Sequence, residues 1–305
     1  MGQSEIYEQA SEKLEKLLRI EMNKKQVERV SKYHGDQILS YIQQESKNKL
    51  PQCTQEGEQV YAMMDGSMIL TRKAEESEET AGWKEVKLAR LFSSKSMYNV
   101  NKNRNWIKDS FYVSHLGKHS DFLDKLSPYT DSYDNDLIFI NDGATWIWNW
   151  IESNYPSAVH ILDYYHAVEH LSKFVNSYFR GTDKKNAWKD QQIDLLWEDR
   201  IQEVINNIAS LKCCSKSQKT AQQKLLTYYQ NNQGRMLYGS YRKKGYLVGS
   251  GPIEAAHRTV IQKRMKLSGQ RWTKEGAQNI LDLRTTFLNG QWDIVIQSVK
   301  GKLAA

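Results

Sequence analysis

Two aspartates 21 residues apart (163 − 142) each close a short apolar run and open a helical pattern. Asp142 ends DLIFIND (136–142) and precedes GATWIWNWI (143–151), where Trp146, Ile147, Trp150 and Ile151 recur at helical spacing. Asp163 repeats the design: Val159, Ile161 and Leu162 lead into it, and a helix opens near His166. Consecutive strand-carboxylate-helix units put acids at the carboxyl ends of parallel strands, where open α/β sheets hold ligands, and paired carboxylates there suggest a divalent metal. A third acid, Glu254, stands in VGSGPIEAAHRTV (248–260), in the first turn of a helix that Pro252 is suited to begin. Its charge also complements the helix dipole, which needs no chemistry. The spacing of Ile253, Ala256, Val260 and Leu267 predicts a buried face, from which Glu254 and Arg258, one turn apart, are turned away. Lys263, Arg264, Lys266 and Arg271 form a basic run, either a solvated face or, beside an acidic metal site, a set of phosphate contacts.

These residues need a scaffold, and 305 residues can hold one α/β domain with an insertion, or two domains. The net charge of +7, from 43 basic and 36 acidic residues, favours a polyanionic partner, a merely basic protein being the other reading. Cys53, Cys213 and Cys214 form no C-x-x-C pair, which argues against a zinc ribbon or a disulfide framework and for a reducing cytoplasm. No apolar run reaches the ~18 residues of a membrane span. The polar start MGQSEIYEQA is not a signal peptide, and Ile6 breaks the myristoylation pattern.

The chain opens with two helices. Ile6, Ala10, Leu14, Leu17 and Leu18 mark the first, and Asn23 caps a second bearing Val27, Val30 and Tyr33. They outline either a DNA-binding helix-turn-helix or an ordinary helical hairpin within residues 1–50. The polar stretch 44–59 is expected to be a linker. Strands are predicted in VYAMMDGSMILT (60–71), WKEVKLARLF (83–92) and SFYVSHLG (110–117), separated by an acidic loop at 73–80. Asp65-Gly66 is also a hairpin signal, in which the aspartate would serve only the turn. A short helix around Phe122, Leu123 and Leu126 precedes the two strand-carboxylate-helix units. Three strands, helix, strand, helix, strand, helix is the order of an RNase H-like fold, a mixed sheet flanked by helices. Residues 58–171 form its first part. A helical insertion (172–247) carries Ile193, Leu196, Trp197, Ile201, Val204, Ile205 and Ile208, with its Trp and Tyr residues assigned to the core. Residues 248–305 complete the fold, Thr273 capping a last helix with Ala277, Ile280, Leu281, Arg284 and Leu288, closed by Asn289-Gly290.

Taken together and in order, INDGATWIWNWI, ILDYYHAVEHL, GSGPIEAAHRTVIQKRMKLSGQRWT and LDLR (281–284) resemble transposases of bacterial insertion sequences of the Kra-type group, over about residues 60–292. The resemblance implies a DDE enzyme that cuts DNA and transfers strands on an RNase H-like fold. It places Asp65, Asp142 and Glu254 at the first, second and third catalytic, metal-binding positions, and Asp163 and His166 at a D-x-x-H signature. Such carboxylates can hold two magnesium ions roughly 3.5 to 4 Å apart, with water as nucleophile for cleavage and a 3′-hydroxyl for transfer. Hard oxygen ligands suit magnesium, with manganese as a substitute. Asp163, His166, Arg258, Lys263, Arg264, Lys266 and Arg271 are expected either to support the acids or to touch DNA. The expected partners are transposon-end and target DNA and further copies of the chain assembled on it, in the bacterial cytoplasm at the nucleoid, with no membrane. The alternative is a transposase-derived DNA-binding protein without catalytic activity. A glycosidase-like carboxylate pair suits the basic C-terminal helix poorly, and GSGP around Ser250 is no serine-hydrolase elbow.

Overall fold

A computed structural model describes residues 1–45, 50–51, 57–74, 80–101, 104–133 and 136–303. The chain is α/β, with a mixed five-stranded sheet flanked by helices. It divides into two compact units, residues 1–137 with 252–305, and residues 138–251. Among the described residues no helix is long and apolar enough to cross a membrane.

In the first unit β1 (Val60–Thr71) is one continuous strand, paired antiparallel with β2 (Gly82–Ser93) from Val60↔Ser93 to Thr71↔Gly82. The hairpin reading of Asp65-Gly66 is therefore corrected: both sit mid-strand, opposite Leu88 and Lys87. A tight hairpin turn needs positive φ, which neither residue has, and burial of all five residues of Val60–Met64 favours a straight strand covered on both faces. Burial on both faces also explains why β2 alternates so imperfectly in sequence, since its last eight residues are all buried, Lys87 and Arg90 among them. A hairpin of β3 (Met97–Asn101) and β4 (Arg104–Ile107), absent from the predicted order, comes before β5 (Phe111–Leu116), which pairs antiparallel with β2. Helix α3 (His119–Thr130) falls where expected.

The N-terminal helices are α1 (Tyr7–Leu18) and α2 (Lys24–Glu45). Asn23 and Gln26 form a reciprocal capping box, the Asn23 side-chain Oδ1 accepting from the Gln26 backbone N–H at 3.0 Å and the Gln26 side-chain Oε1 accepting from the Asn23 backbone N–H at 2.8 Å. The turn before it contains no glycine, and Arg19 takes the left-handed conformation at φ 57°. Helix α2 packs on α12 (Lys274–Leu288) so closely that a Cβ on Gly35 would lie 2.6 Å from the Asn279 carbonyl. Ile38 joins Leu283, Ile294 and Val295 in one apolar cluster, the last two from α13 (Trp292–Leu303). Of the expected linker, residues 46–49 and 52–56, with Cys53, lie outside the described residues, as do residues 75–79 of the acidic loop. Thr273 caps α12, accepting from the Gly276 N–H at 3.2 Å, and Gly290 takes φ 68° just past its end.

The second unit opens on two parallel strands, β6 (Leu137–Asn141) and β7 (Val159–Leu162), in register from Ile138↔Val159 to Asn141↔Leu162. Each leads into a helix, α4 (Thr145–Asn154) and α5 (Tyr164–Tyr178). Helices α6 (Thr182–Trp197), α7 (Ile201–Ser210), α8 (Lys216–Asn232) and α9 (Tyr238–Lys243) follow. The insertion is helical as expected, but α5 runs across its predicted start at 172. Tyr229 and Tyr238 are fully buried, whereas Trp188 and Trp197 are only half-buried, so the core assignment holds for these tyrosines and not for these two tryptophans.

Candidate active site

In the first unit Asp65 lies where β1 passes from wholly buried to half-exposed positions. One carboxylate oxygen accepts from the Gly66 N–H at 2.7 Å. The other lies 3.3 Å from Nε2 of His257, a buried residue whose ring nitrogens have no hydrogen-bond partner among the described residues. Lys266 donates to the Ser67 hydroxyl at 2.5 Å, and burial lowers its pKa against the opposing effect of the Asp65 charge.

His257 belongs to the helix that carries Glu254. That helix begins as α10 (Gly251–Ala256), widens into a π-helical segment (His257–Gln262) and ends as α11 (Lys263–Met265). π-Segments recur at functional sites. Two arginines outside the expected site residues hold it. Arg90 of β2, buried, donates to the Pro252 carbonyl at 2.7 Å while its other nitrogens bond the Ser110 hydroxyl, so it pins the turn that presents Glu254. Arg284, in LDLR, donates to the Val260 carbonyl at 2.6 Å, to the Thr259 carbonyl and to the Gln3 carbonyl at 2.6 Å. Burial, with the Arg264 charge nearby, lowers its pKa to about 10. Widening to a π-turn disturbs the regular backbone ladder, and Arg284 binds carbonyls at that irregularity. Asp282, in the same motif, pairs with Lys125 at 2.6 Å.

Glu254 and Arg258 are exposed, as the helical spacing predicts, and so are Lys263, Lys266 and Arg271. Two expectations fail. Leu267 is exposed, because the π-segment changes the helical phase and α11 ends at Met265. Arg264 is buried, sandwiched 4.8 Å from both the Tyr7 and Trp272 rings and donating to the Gly2 carbonyl at 3.1 Å, so as placed it offers DNA no phosphate contact.

In the second unit the two strand-end aspartates stand as predicted, each one residue beyond its strand. Asp142 accepts from the Ala144 N–H at 3.0 Å, and its carbonyl accepts from the Trp148 indole at 2.6 Å. Asp163 is buried and serves as the N-cap of α5. One oxygen accepts from the N–H groups of Tyr165 (2.7 Å) and His166 (3.3 Å). The other meets the His166 ring at 3.0 Å, the Ser250 N–H at 3.1 Å and the Ser250 hydroxyl. Burial would raise the Asp163 pKa, but the bonds from His166 and Ser250 outweigh it and leave it lowered. The hydrogen bond to Asp163 is the largest effect on the His166 pKa and raises it to about 9; burial opposes it, and the charges of Asp163, Asp142 and Glu169 each add a smaller upward push. The D-x-x-H pair is thus a clamp that also fastens the chain at Ser250, just past the insertion, a pairing that no local pattern signals. Close by, the Tyr228 ring stacks on His170 at 4.1 Å, and a Cβ on Gly143 would lie 2.2 Å from it.

Asp65 and Glu254 therefore belong to the first unit and Asp142 to the second. Among the described residues no three His, Cys, Asp or Glu side chains are grouped so as to hold a metal ion. Compared with known proteins, the chain matches no protein-family model and no curated protein.

Proposed function

We propose that the chain is a DDE-type transposase that cuts DNA and joins the released 3′ ends, with Asp65, Asp142 and Glu254 as its catalytic acids and magnesium or manganese as its metal. The observation that carries this reading is the approach of His257 to Asp65 at 3.3 Å. Residues 192 apart (257 − 65) meet where the helix that opens on Glu254 passes the middle of β1. The mixed sheet is compatible with an RNase H-like fold, and the role of Asp142 rests on the sequence resemblance and on its place one residue past β6.

The donors are hard carboxylate oxygens with no cysteine beside them in sequence, a chemistry suited to magnesium. When bound, such a metal supplies the positive charge that activates the attacking oxygen and stabilises the leaving one. The protein's own residues do the positioning. Asp65 must give up its contact with His257 to serve as a ligand, Arg90 holds the start of the Glu254 helix, and Asp163 holds His166 as a cation suited to a phosphate. Lys263 and Arg271, exposed, are the phosphate contacts of the first unit, and assembly of several copies on transposon ends at the nucleoid completes the reading.

The test is incubation of the protein with the DNA that flanks its own gene, in magnesium and in calcium. Nicks at the element's ends in magnesium alone are expected. Binding without cleavage in either metal would instead establish the non-catalytic DNA-binding alternative, and no binding would refute both.

A further inference from the structure

Between Glu203 and Glu254 the chain has no acidic residue. Those 50 residues (204–253) hold Lys212, Lys216, Lys219, Lys224, Arg235, Arg242, Lys243 and Lys244, a net +8 in a chain whose total is +7. The rest therefore sums to −1, and the whole positive excess lies in the second half of the helical insertion.

The fold gathers part of that charge on one surface. Lys216, Lys219, Gln223, Thr227 and Asn231 recur every three to four residues along α8 and, with Lys224, line one wall of a groove of about 960 Å³. Helix α4 supplies the opposite wall through Thr145 and Asn149, and the groove reaches Gly143, the residue after Asp142. Glu152 is the one acidic residue in the lining, and it is paired with Arg235, whose guanidinium lies 4.2 Å over the Trp148 ring. The three lysines are exposed.

We infer that the groove between α4 and α8 is a track for the backbone of a DNA strand. This rests on the transposase reading and adds to it a surface that the resemblance does not assign. Lysines on flexible stems beside amide and hydroxyl side chains make phosphate contacts that position a duplex without reading its bases. Lys216 to Lys224 span ~12 Å of helix, or three to four nucleotides at ~3.4 Å each. A small anionic ligand would leave most of so long and open a polar wall unused.

The test compares two triple variants of the full chain, each losing three charges: Lys216→Gln/Lys219→Gln/Lys224→Gln in the groove, and Lys184→Gln/Lys185→Gln/Lys189→Gln on α6. Binding of a fluorescein-labelled duplex of arbitrary sequence is followed by anisotropy across a salt series in EDTA, with circular dichroism melts to verify folding. The groove variant is expected to lose at least tenfold in affinity, and the slope of log affinity against log salt to shrink by roughly two to three, about 0.9 for each phosphate that the protein no longer neutralises. The α6 variant should stay within about twofold. Thr227→Glu, which adds a negative charge to the groove and removes no lysine, should weaken binding as well. If the parent binds DNA and the two triple variants behave alike, the groove assignment is wrong while the transposase reading stands. If the parent binds no DNA, both fall, and if it prefers an RNA duplex of the same sequence the choice of DNA is overturned.

Discussion

Replacing Asp163 by asparagine separates the two jobs of its carboxylate. Asparagine keeps an oxygen for the Tyr165 and His166 N–H groups and remains a good N-cap. It puts an NH₂ where the second oxygen accepted from the His166 ring and from Ser250. A buried Ser250 N–H left unpaired costs about 1–3 kcal/mol. The His166 pKa of about 9 lies above its unfolded value of ~6.5, so its contribution to stability is fully present below pH ~6.5 and is lost as pH rises through 9. The full shift would correspond to about 3.4 kcal/mol, but the side chain is 39% exposed, and screening by solvent reduces this to on the order of 1 kcal/mol. The variant should therefore be about 3 kcal/mol less stable at pH 6 and about 2 kcal/mol less stable at pH 9. Urea melts followed by tryptophan fluorescence measure the difference, and NMR titration of the histidine ring protons should show a His166 pKa raised above 6.5 in the parent and falling toward 6.5 in the variant. A parental His166 that titrates near 6.5, or a variant within about 0.5 kcal/mol of the parent at both pH values, refutes the clamp.

Arg284→Met removes the donor to three backbone carbonyls, two of them buried, and should destabilise the protein by about 3 kcal/mol or more in urea melts, with Arg284→Lys restoring little because one ammonium cannot reproduce the planar fork. Gly35→Ala should cost about 1–3 kcal/mol, because its Cβ meets the backbone of Asn279. Gly66→Ala is the contrast. The three atoms nearest its Cβ all belong to the Glu85 side chain, from Oε1 to Cγ, which must turn aside while the backbone stays, so a loss of about 1 kcal/mol or less is expected, and equal losses at the two glycines would show that close backbone packing of α2 on α12 is not what Gly35 serves.

The second unit was the more legible part of the chain. Apolar runs ending at Asp142 and Asp163 predicted parallel strands and strand-end acids, because burial on both faces writes parallel strands as continuous hydrophobic stretches. The capping residues Asn23 and Thr273 were legible for a similar reason, since a side-chain oxygen one residue before a helical pattern has few other uses. What stayed hidden depended on contacts distant in sequence. Nothing local distinguishes Arg264 and Arg284, which are buried, from Lys263 and Arg271, which are exposed, and no pattern signals the π-segment that shifts Leu267 outward. Asp65-Gly66 read as a turn because the dipeptide usually is one, and its strand conformation follows from pairing with β2 along its whole length. The groove of α8 did leave a signal, an acid-free stretch with lysines at helical spacing, which a search for clusters of carboxylates or cysteines passes over.

The central claim, that three acids act as one site on DNA, is tested most directly by Asp65→Asn, Asp142→Asn and Glu254→Gln, assayed singly and in pairs for magnesium-dependent cleavage of the element's ends. Each single variant is predicted to lose more than about a hundredfold in rate, the upper end of what losing even an outlying partner of a metal costs, while binding the same DNA as tightly as the parent. Pairs should lose little more than singles, as residues that work together do. Cleavage by Glu254→Gln at the parental rate, or losses that multiply across the pairs, would contradict the account.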